Sequence, residues 1–462
     1  MARHKPMADG RLGHGTVLAI ALPIVVSNVT QPLIGVADTA VLGQLGDPGL
    51  IGAVALGATI FSMLYWAFGF LRMGTSGLTA QAVGAGDTCE VAIGLVRALM
   101  IAAIAGAGLI VLQWPLEVIA FELVHGSDKV EASARSYFAI RIWSAPAALA
   151  NFAILGWFIG IRRTDLAFWL QLLLNLTNIA LDILLTLGLG LGIEGVAIGT
   201  LIAEITAAGA GLMLIRGQLR RLGATLRLDH LADRAKLRRT LGVNRDIMIR
   251  TLLLLFSFSF FTFQGARAGD LVLAANAVLF HFLMVSAYLL DGFAFAAEVL
   301  VGNAVGAGDR SRFLCAVRLS SFWAFAVALC LALACAIAGG WIIDAMTTSA
   351  EVRDLARDYL AWAVALPVVG VACFQLDGIY IGATRTADMR NMMIIATAVY
   401  LAAWALLTPI YQNHGLWAAL GVFFVVRGLT LGARFPDLLR DLFPAAGNRL
   451  GAAPVPDAAT RC

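Results

Sequence analysis

The sequence predicts an all-α polytopic membrane protein with twelve transmembrane helices in two six-helix lobes. Of its 462 residues, 60% are hydrophobic and only 13% are charged, whereas soluble domains carry roughly 25% charged residues. Twelve apolar runs are long enough to cross a bilayer, which takes about 20 residues. The second half of the chain also repeats short stretches of the first half at one fixed spacing.

The apolar runs follow one another along almost the whole chain, with short polar connections between them. The second, eighth and tenth runs are long enough to tilt or to project from the bilayer. We expect no cleavable signal peptide, because the N-terminal residues lead directly into the first run. The runs are residues 15–43, 51–84, 90–113, 132–160, 166–189, 194–217, 246–268, 271–305, 313–338, 352–382, 389–410 and 414–436.

The two halves match at an offset of 222 residues, which indicates an internal repeat. Each half contains six runs, an even number, so both halves enter the membrane from the same side. We therefore expect a pseudo-two-fold axis along the membrane normal. The matching stretches are AVGAGD at 82–87 and 304–309, ARSY and ARDY at 134–137 and 356–359, and IGIRRT and IGATRT at 159–164 and 381–386.

Basic residues predict the orientation, because cytoplasmic loops of membrane proteins are rich in lysine and arginine. Eight basic residues fall in the central loop 216–240, and the opposite set of loops is richer in acids. We interpret the basic loop as a topology determinant ahead of a lipid or nucleic-acid site. The protein is expected in the cell inner membrane with both termini cytoplasmic. Its expected parts are a tail at 1–14, an N-lobe at 15–217, a basic linker at 218–245, a C-lobe at 246–436 and a tail at 437–462.

Several kinds of function are disfavoured by the composition. The lysines, Lys5, Lys129 and Lys236, lie outside any GxxxxGK motif, so no Walker nucleotide site is expected. The six cysteines form no CxxC pair, and the six histidines are dispersed. The net charge of +4 is too small to indicate a nucleic-acid partner. We therefore expect no cofactor and no metal, apart from a possible sodium ion discussed below.

The first apolar run contains a carboxylate within a membrane span. Residues 20–43 include Asp38, Pro23 and Pro32. A charged side chain inside a span costs at least ~2.5 kcal/mol and by default indicates a functional site. A proline in such a helix suggests a kink. The alternative is an aspartate near the outer end of the helix that faces water.

The fifth run carries four polar residues on one helical face. Gln171, Asn175, Asn178 and Asp182 follow at spacings of 4, 3 and 4, which bring them to the same side of a helix. In a bilayer such a stripe must face protein or water. Amide hydrogen bonding between helices explains Gln171 and Asn175 equally well. The ionisable group of Asp182 favours a functional role.

Depth groups three of these polar residues together. Asp38, Asp182 and Thr200 each lie roughly 10 Å below the outer surface at 1.5 Å per residue. Hard cations prefer oxygen ligands of this kind, and two close acids in a low dielectric do not ionise together easily. The sequence therefore predicts a proton or sodium site in the N-lobe. At an offset of 223, the counterpart of Asp38 in the seventh run is Phe261.

The second half has its own buried acids as candidates, Asp291, Glu298 and Asp377. Asp291 and Glu298 lie seven residues apart and share a helical face. Direct contact with a substrate is one interpretation of these acids. Pairing with embedded arginines is the other, and the arginines available are Arg72, Arg141 and Arg250.

Six segments of the chain carry a family resemblance: LPIVVSNVTQPLIGVADTAVLG, FLRMGTSGLTAQAVGAGD, SAPAALANFAILGWFIG, NRDIMIRTLLL, LDGFAFAAE and LPVVGVACFQLDGIYIGATRTADMRN. They resemble the multidrug and toxic compound extrusion (MATE) family, and most closely its DinF branch. The resemblance covers about residues 12–440 and implies two six-helix lobes in a V that export organic cations in exchange for H+ or Na+.

The resemblance also implies site residues in the N-lobe. The family's ion site uses an acid in the first span, an asparagine and an aspartate four apart in the fifth, and a threonine eighteen residues later. The matching positions are Asp38, Asn178, Asp182 and Thr200, and Pro23 matches the family's kinking proline. On the residue pattern, Asn175 is added to this cation-coupling set.

A C-lobe site is implied less completely. Asp377 resembles an aspartate in the tenth span that serves the C-lobe site of another MATE branch. That branch also has a glutamate in its seventh span, and the corresponding stretch, 251–263, has no carboxylate. This departure places a C-lobe sodium site in doubt.

The sequence thus predicts a secondary antiporter that exports cationic or amphipathic drugs in exchange for H+ or Na+. We expect a monomer within the lipid bilayer. A lipid-linked precursor flippase of a related two-lobe fold is the alternative, and an arginine-rich cavity would favour it. An enzyme is disfavoured because no HExxH or GxSxG motif is present.

Overall fold

The structure is a computed structural model that describes residues 12–44, 48–123, 127–224, 231 and 233–444. Within these ranges the regular structure is helical and no residue is assigned to a strand. Most of the two predicted tails, at 1–14 and 437–462, lies outside the described residues. The predicted all-helical fold is confirmed.

The N-lobe contains six membrane-crossing segments, and two of them are interrupted helices. The short helix α5 lies between the third and fourth segments and does not cross. In chain order the elements are α1 (His14–Gly43), α2 (Pro48–Trp66) with α3 (Phe70–Gly84), α4 (Thr88–Val111), α5 (Gln113–Leu123), α6 (Asp128–Arg141) with α7 (Ala145–Gly160), α8 (Thr164–Asp182) with a π-helical turn (Ile183–Gly188), and α9 (Gly192–Leu222).

The C-lobe contains six further segments in five helices, because the last helix includes two. Gln412 interrupts this helix with φ 50° and ψ −127°, where the sequence predicts the connection between runs eleven and twelve. Since α9 extends to Leu222, the predicted linker 218–245 is partly helical. The elements are α10 (Arg234–Arg267), α11 (Asp270–Gly306), α12 (Arg310–Met346), α13 (Ala350–Gly382) and α14 (Thr386–Leu442).

The repeated AVGAGD motif makes the same turn in both lobes. Gly86 and Gly308 have φ values of 68° and 66°, a left-handed conformation that glycine adopts without strain. The next residues, Asp87 and Asp309, each accept a hydrogen bond of 2.9 Å from the backbone N–H three residues later. This contact caps the N-terminus of the following helix. The motif recurs because both lobes need this helix–turn–helix connection.

The lobes meet through a reciprocal contact between α3 and α11. A methyl group added to Gly84 would overlap the backbone carbonyl of Asn303, and one added to Gly306 would overlap the carbonyl of Gln81. Both pairs are related by the same 222-residue offset, as a two-fold axis between the helices requires. This contact lies on the side of the membrane where α9 ends and α10 begins, which we call the linker side.

Polar contacts also join the lobes on the linker side. The side-chain amide of Gln81 donates to the carbonyl of Gly382 at 2.8 Å, and Arg239 donates to its amide oxygen at 2.6 Å. Nearer the middle of the membrane, Asn28 of α1 donates to the carbonyl of Tyr288 at 3.1 Å. These contacts hold the linker-side halves of the two lobes together.

A second packed region lies in the C-lobe, away from the linker side. The ring of Phe261 lies 4.7 Å from that of Trp417. Asn276 and Asn413 exchange amide hydrogen bonds of 2.8 and 2.9 Å, and the Trp417 indole donates to Asn276 at 2.9 Å. These bonds anchor the chain next to the helix break at Gln412.

A candidate cation site between α1, α8 and α9

Asp38 and Asp182 are brought together inside the N-lobe, where α1 packs along α8. Their side chains are 3% and 0% exposed. The two carboxyl groups are within hydrogen-bonding range of each other. Such a hydrogen bond requires a proton on one of the two groups, since a carboxylate only accepts.

The oxygens around this acid pair have few donors. Oδ1 of Asp38, both carboxyl oxygens of Asp182 and the amide oxygen of Asn178 are buried and accept no hydrogen bond from an N–H or O–H group of the described residues. The Asn178 amide nitrogen donates instead to the hydroxyl of Thr200 at 3.0 Å. Thr200 in turn donates to the carbonyl of Val196 at 3.0 Å. The arrangement presents acceptor oxygens, which suit a proton or a hard cation.

A glycine in α9 makes room for the acid pair. A methyl group on Gly199 would overlap Oδ1 of Asp182. Directly after Asp182, the helix widens into the π-helical turn Ile183–Gly188, a feature that is frequent at functional sites. Gly195, one turn before Gly199, allows α9 to approach this turn closely, since a methyl group there would stand 2.8 Å from the Thr186 hydroxyl oxygen.

A cation, Arg141, lies near the acid pair and forms no ion pair with it among the described residues. The charge of Arg141 in α6 acts on both Asp38 and Asp182. Its guanidinium donates to the Tyr137 hydroxyl at 2.6 Å and lies over the ring of Phe61 at 5.2 Å. Arg141 can balance only one of the charges of Asp38 and Asp182, so the acid pair can still take up a proton or a cation.

Asn175 belongs to a neighbouring contact between helices. It donates to the hydroxyl of Thr30 in α1 at 3.2 Å and accepts from Gln171 at 3.0 Å. This is the interhelical amide bonding that the sequence offered as one interpretation. Pro23 lies inside α1, which continues as one helix from His14 to Gly43, so the predicted kink stays a prediction.

The C-lobe candidate Asp377 is enclosed by two arginines. It forms ion pairs with Arg250 and with Arg427, the latter at 2.7 Å, and all three side chains are at most 8% exposed. The sequence predicts Arg250 as a possible partner, whereas Arg427 was not predicted. An arginine in the middle of the apolar stretch FFVVRGL was the available signal.

Asp291 and Glu298 lie at the contact between the lobes. Glu298 is 1% exposed and contacts the hydroxyl of Ser76 in α3. Arg72, also in α3, faces both acids and lies over the Phe295 ring at 4.5 Å. The structure therefore divides the C-lobe candidates between an ion-pair cluster and the interlobe contact.

The N-lobe also contains a second polar pair, which the sequence did not predict. Asn151 donates to a carboxyl oxygen of Glu204 at 2.7 Å. The Tyr65 and Ser144 hydroxyl oxygens lie 3.1 Å apart nearby, in the same network around Arg141. Glu204 is an acid within a predicted span, which was the signal that could have identified it.

Two six-helix lobes that join on one side of the membrane, with a buried acid pair inside one lobe, define a polytopic membrane transporter. The chain belongs to the MatE family, whose model matches residues 23–184 and 247–405. The two matched segments fall in the two lobes. The resemblance inferred from the sequence is confirmed.

Curated relatives agree with this family. The chain is 44% identical to DNA damage-inducible protein F of Escherichia coli, and the match covers 90% of each chain. It is 26% identical to a probable multidrug resistance protein NorM of Neisseria meningitidis serogroup A, over 68% of this chain and 70% of that one. The protein DETOXIFICATION 44, chloroplastic, of Arabidopsis thaliana is 24% identical over 93% of this chain and 83% of its own length.

Solved structures share the fold. An outward-facing conformation of a multidrug resistance MATE family transporter of the MOP superfamily superposes with a TM-score of 0.83, at 17% identity, over 93% of this chain and 96% of that one. The bent form of the Vibrio cholerae MATE transporter VcmN also gives 0.83, at 19% identity, over 93% and 97%. At these identities the comparison supports the two-lobe fold alone.

Proposed function

We propose that the protein is a secondary antiporter that exports cationic or amphipathic small molecules in exchange for H+, with Na+ as the alternative ion. The observation that carries this proposal is the buried contact between Asp38 and Asp182, three of whose four carboxyl oxygens are buried without a donor among the described residues. The similarity of this chain to a probable multidrug resistance protein, the NorM protein above, supports cationic or amphipathic small molecules as the substrate class.

The chemistry of the acid pair explains how an ion could be coupled to transport. Two ionised carboxylates in contact repel each other, and burial penalises the charge on each. Uptake of a proton or a cation therefore stabilises the pair, because it removes the repulsion and reduces the buried charge. Export would follow if protonation lowers the affinity of the N-lobe for a cationic substrate, because the two positive charges then compete for the same carboxylates.

The orientation proposed is that the linker side faces the cytoplasm. Arg163, Lys236, Arg239 and Arg385 all lie at this side, in line with the excess of basic residues in cytoplasmic loops. The lobes then contact each other on the cytoplasmic side, and the acid pair lies in the external half. This arrangement corresponds to an outward-facing state of an inner-membrane protein.

The available driving forces are sufficient for concentrative export. One charge that crosses 100 mV yields ~2.3 kcal/mol, and each unit of pH difference adds ~1.36 kcal/mol per proton. We propose that protons enter from outside, neutralise Asp38 and Asp182, and allow α1 to bend near Pro23. The substrate is thereby released to the outside.

The lipid-linked precursor flippase is not supported by the same structure. That alternative needs arginines free to bind a phosphate in a cavity. Asp377 forms ion pairs with both Arg250 and Arg427. The charges of Asp291 and Glu298 act on Arg72, so these three arginines lie among three acids. The observed pairing favours the antiporter.

The decisive experiment uses purified protein in proteoliposomes with independently imposed pH and sodium gradients. We expect efflux of a cationic dye driven by the pH gradient, and no transfer of a labelled lipid-linked precursor between leaflets. Efflux driven by sodium alone would assign Na+ as the coupling ion. Dye movement unaffected by either gradient, or lipid transfer without dye efflux, would refute the proposal.

A further inference from the structure

A crevice of about 410 Å³ opens on the C-lobe between α12, α13 and α14, apart from the acid pair. This volume is within the ~300–1,000 Å³ of small-molecule sites. Its walls are mostly apolar and include Val317, Phe325, Leu376 and Phe435. Phe325 is 51% exposed, so the crevice opens towards the surrounding lipid.

One polar side chain in this wall has no hydrogen-bond partner among the described residues. Gln375 is 4% exposed, and both its amide nitrogen and its amide oxygen are buried without a hydrogen bond to that part of the chain. A buried amide without hydrogen bonds is destabilising, so native proteins rarely leave one unsatisfied. The position of Gln375 therefore indicates that a polar group of a ligand reaches it through the crevice.

The internal repeat provides a comparison within the same molecule. At an offset of 222, Ile379 in the crevice corresponds to Trp157 of the N-lobe, which is 0% exposed and donates to the carbonyl of Val91 at 2.9 Å. Gln375 corresponds to Ala153, also 0% exposed. The N-lobe thus has a large indole where the C-lobe has a smaller side chain, and a methyl group where the C-lobe has an amide. The crevice is a property of the C-lobe sequence and not of the shared fold.

Depth and charge indicate what the crevice holds. Gln375 lies seven residues before the linker-side end of α13, which corresponds to ~10 Å along a helix. This is near the boundary between the headgroups and the hydrocarbon. Arg318 is exposed and precedes Ser321 and Phe325 by three and seven residues, so it shares their helical face one turn closer to the linker side. Arg434, next to Phe435, is also exposed.

We propose that this crevice binds an anionic phospholipid from the leaflet on the linker side. One acyl chain fills the apolar space, the Gln375 amide N–H donates to a glycerol-ester carbonyl, and Arg318 contacts the phosphate. Water of the hydrated ester region satisfies the Gln375 oxygen. The guanidinium favours an anionic over a zwitterionic lipid, because a zwitterion carries its own compensating cation.

The test measures binding of dioleoyl phosphatidylglycerol to the delipidated full-length protein in detergent, with dioleoyl phosphatidylcholine as the comparison. We expect the phosphatidylglycerol to raise the thermal midpoint and to be retained through purification more than the phosphatidylcholine. Ile379→Trp, which reproduces the N-lobe residue, should abolish both effects. Gln375→Leu should weaken binding about fivefold, as the loss of one hydrogen bond predicts.

Matched variants keep this test decisive. Leu333→Trp adds an indole at a 60% exposed position of α12 beyond the crevice and should leave lipid binding unchanged. Arg318→Gln changes an exposed residue and should remove the preference for phosphatidylglycerol even if Ile379→Trp does not fold. Equal binding of the two lipids by the unmodified protein, or full retention by Ile379→Trp, would overturn the proposal. So would a cationic dye that binds in the crevice in place of lipid.

Discussion

Gly199 of α9 lies directly against the carboxyl group of Asp182 in α8, with no room between them for a methyl group. Gly199→Ala should therefore displace Asp182 from Asp38, with an overpacking cost of about 1–3 kcal/mol. We expect dye efflux in proteoliposomes to fall at least about tenfold, which corresponds to ~1.4 kcal/mol. Gly209→Ala in the same helix is the control, since no atom of the described residues lies within 4 Å of the added methyl group. Equal efflux by the two variants would show that the position of Asp182 is unimportant.

The acid pair itself gives the second prediction. Asp38→Asn and Asp182→Asn keep the size of each side chain but remove its titratable charge, so each should abolish or strongly impair proton-driven efflux. Asn178→Ala and Thr200→Ala should have smaller effects, because each removes a neutral ligand that contributes ~1 kcal/mol. The measurement is dye efflux at a fixed pH gradient, normalised to folded protein.

The repeat provides a control for the acid pair. Phe261, the counterpart of Asp38, packs against Trp417 and has no polar role, so Phe261→Leu should retain efflux. If Asp38→Asn transports normally and Asp377→Asn loses coupling, the ion site belongs to the C-lobe and the assignment to the N-lobe is wrong.

For Asp377 we predict a loss of stability. Asp377→Asn leaves Arg250 and Arg427 buried without their shared carboxylate, and breaking a buried pair in this way costs about 3–5 kcal/mol. The thermal midpoint in detergent should fall by several degrees. The control is Asp437→Asn, whose partners Arg434 and Arg440 lie 3.8 and 3.3 Å away on the surface. An exposed ion pair of this kind contributes at most about 1 kcal/mol. Equal midpoints for the two variants would contradict a structural role of the cluster.

The reciprocal glycines give a conformational prediction. Gly84→Ala or Gly306→Ala would place a methyl group on a backbone carbonyl of the other lobe. A backbone carbonyl cannot relieve this overlap by a change of rotamer, as a side chain could. The lobes should separate on the linker side, so the population shifts towards a state open there. We expect faster labelling of a cysteine placed at Ser76, which is 0% exposed, in a background without native cysteines.

The matched control for this shift is Gly94→Ala in α4, where an added methyl group meets nothing within 4 Å. It should leave the labelling rate at Ser76 unchanged. Faster labelling in the control, or no change in the two glycine variants, would contradict the proposed closure.

The sequence predicted the positions of the helices better than it predicted which side chains contact each other. Hydropathy and the repeat predicted the twelve spans, and the position of acids in apolar runs singled out Asp38 and Asp182. Hydropathy does not report how each helix is rotated about its axis. The pairing of Asp377 with Arg427, fifty residues apart on different spans, was therefore invisible, as was the contact of Asn151 with Glu204. Depth along each span did group Asp38 with Asp182, because the rise per residue of a helix is fixed.

The close approach at Gly84 and Gly306 makes the contact surface of each repeat complementary to itself. Such an isologous surface is what a two-fold symmetric homodimer requires. A six-helix protein with only the N-lobe sequence would thus already present the matching surface for a second copy of itself. When the two copies are fused in one chain, the sequence of each lobe can change independently at positions away from the two-fold axis. One lobe can then carry Asp38 while the equivalent position of the other lobe carries Phe261, which binds no ion. A symmetric dimer must have the same residue at both positions and cannot separate these roles.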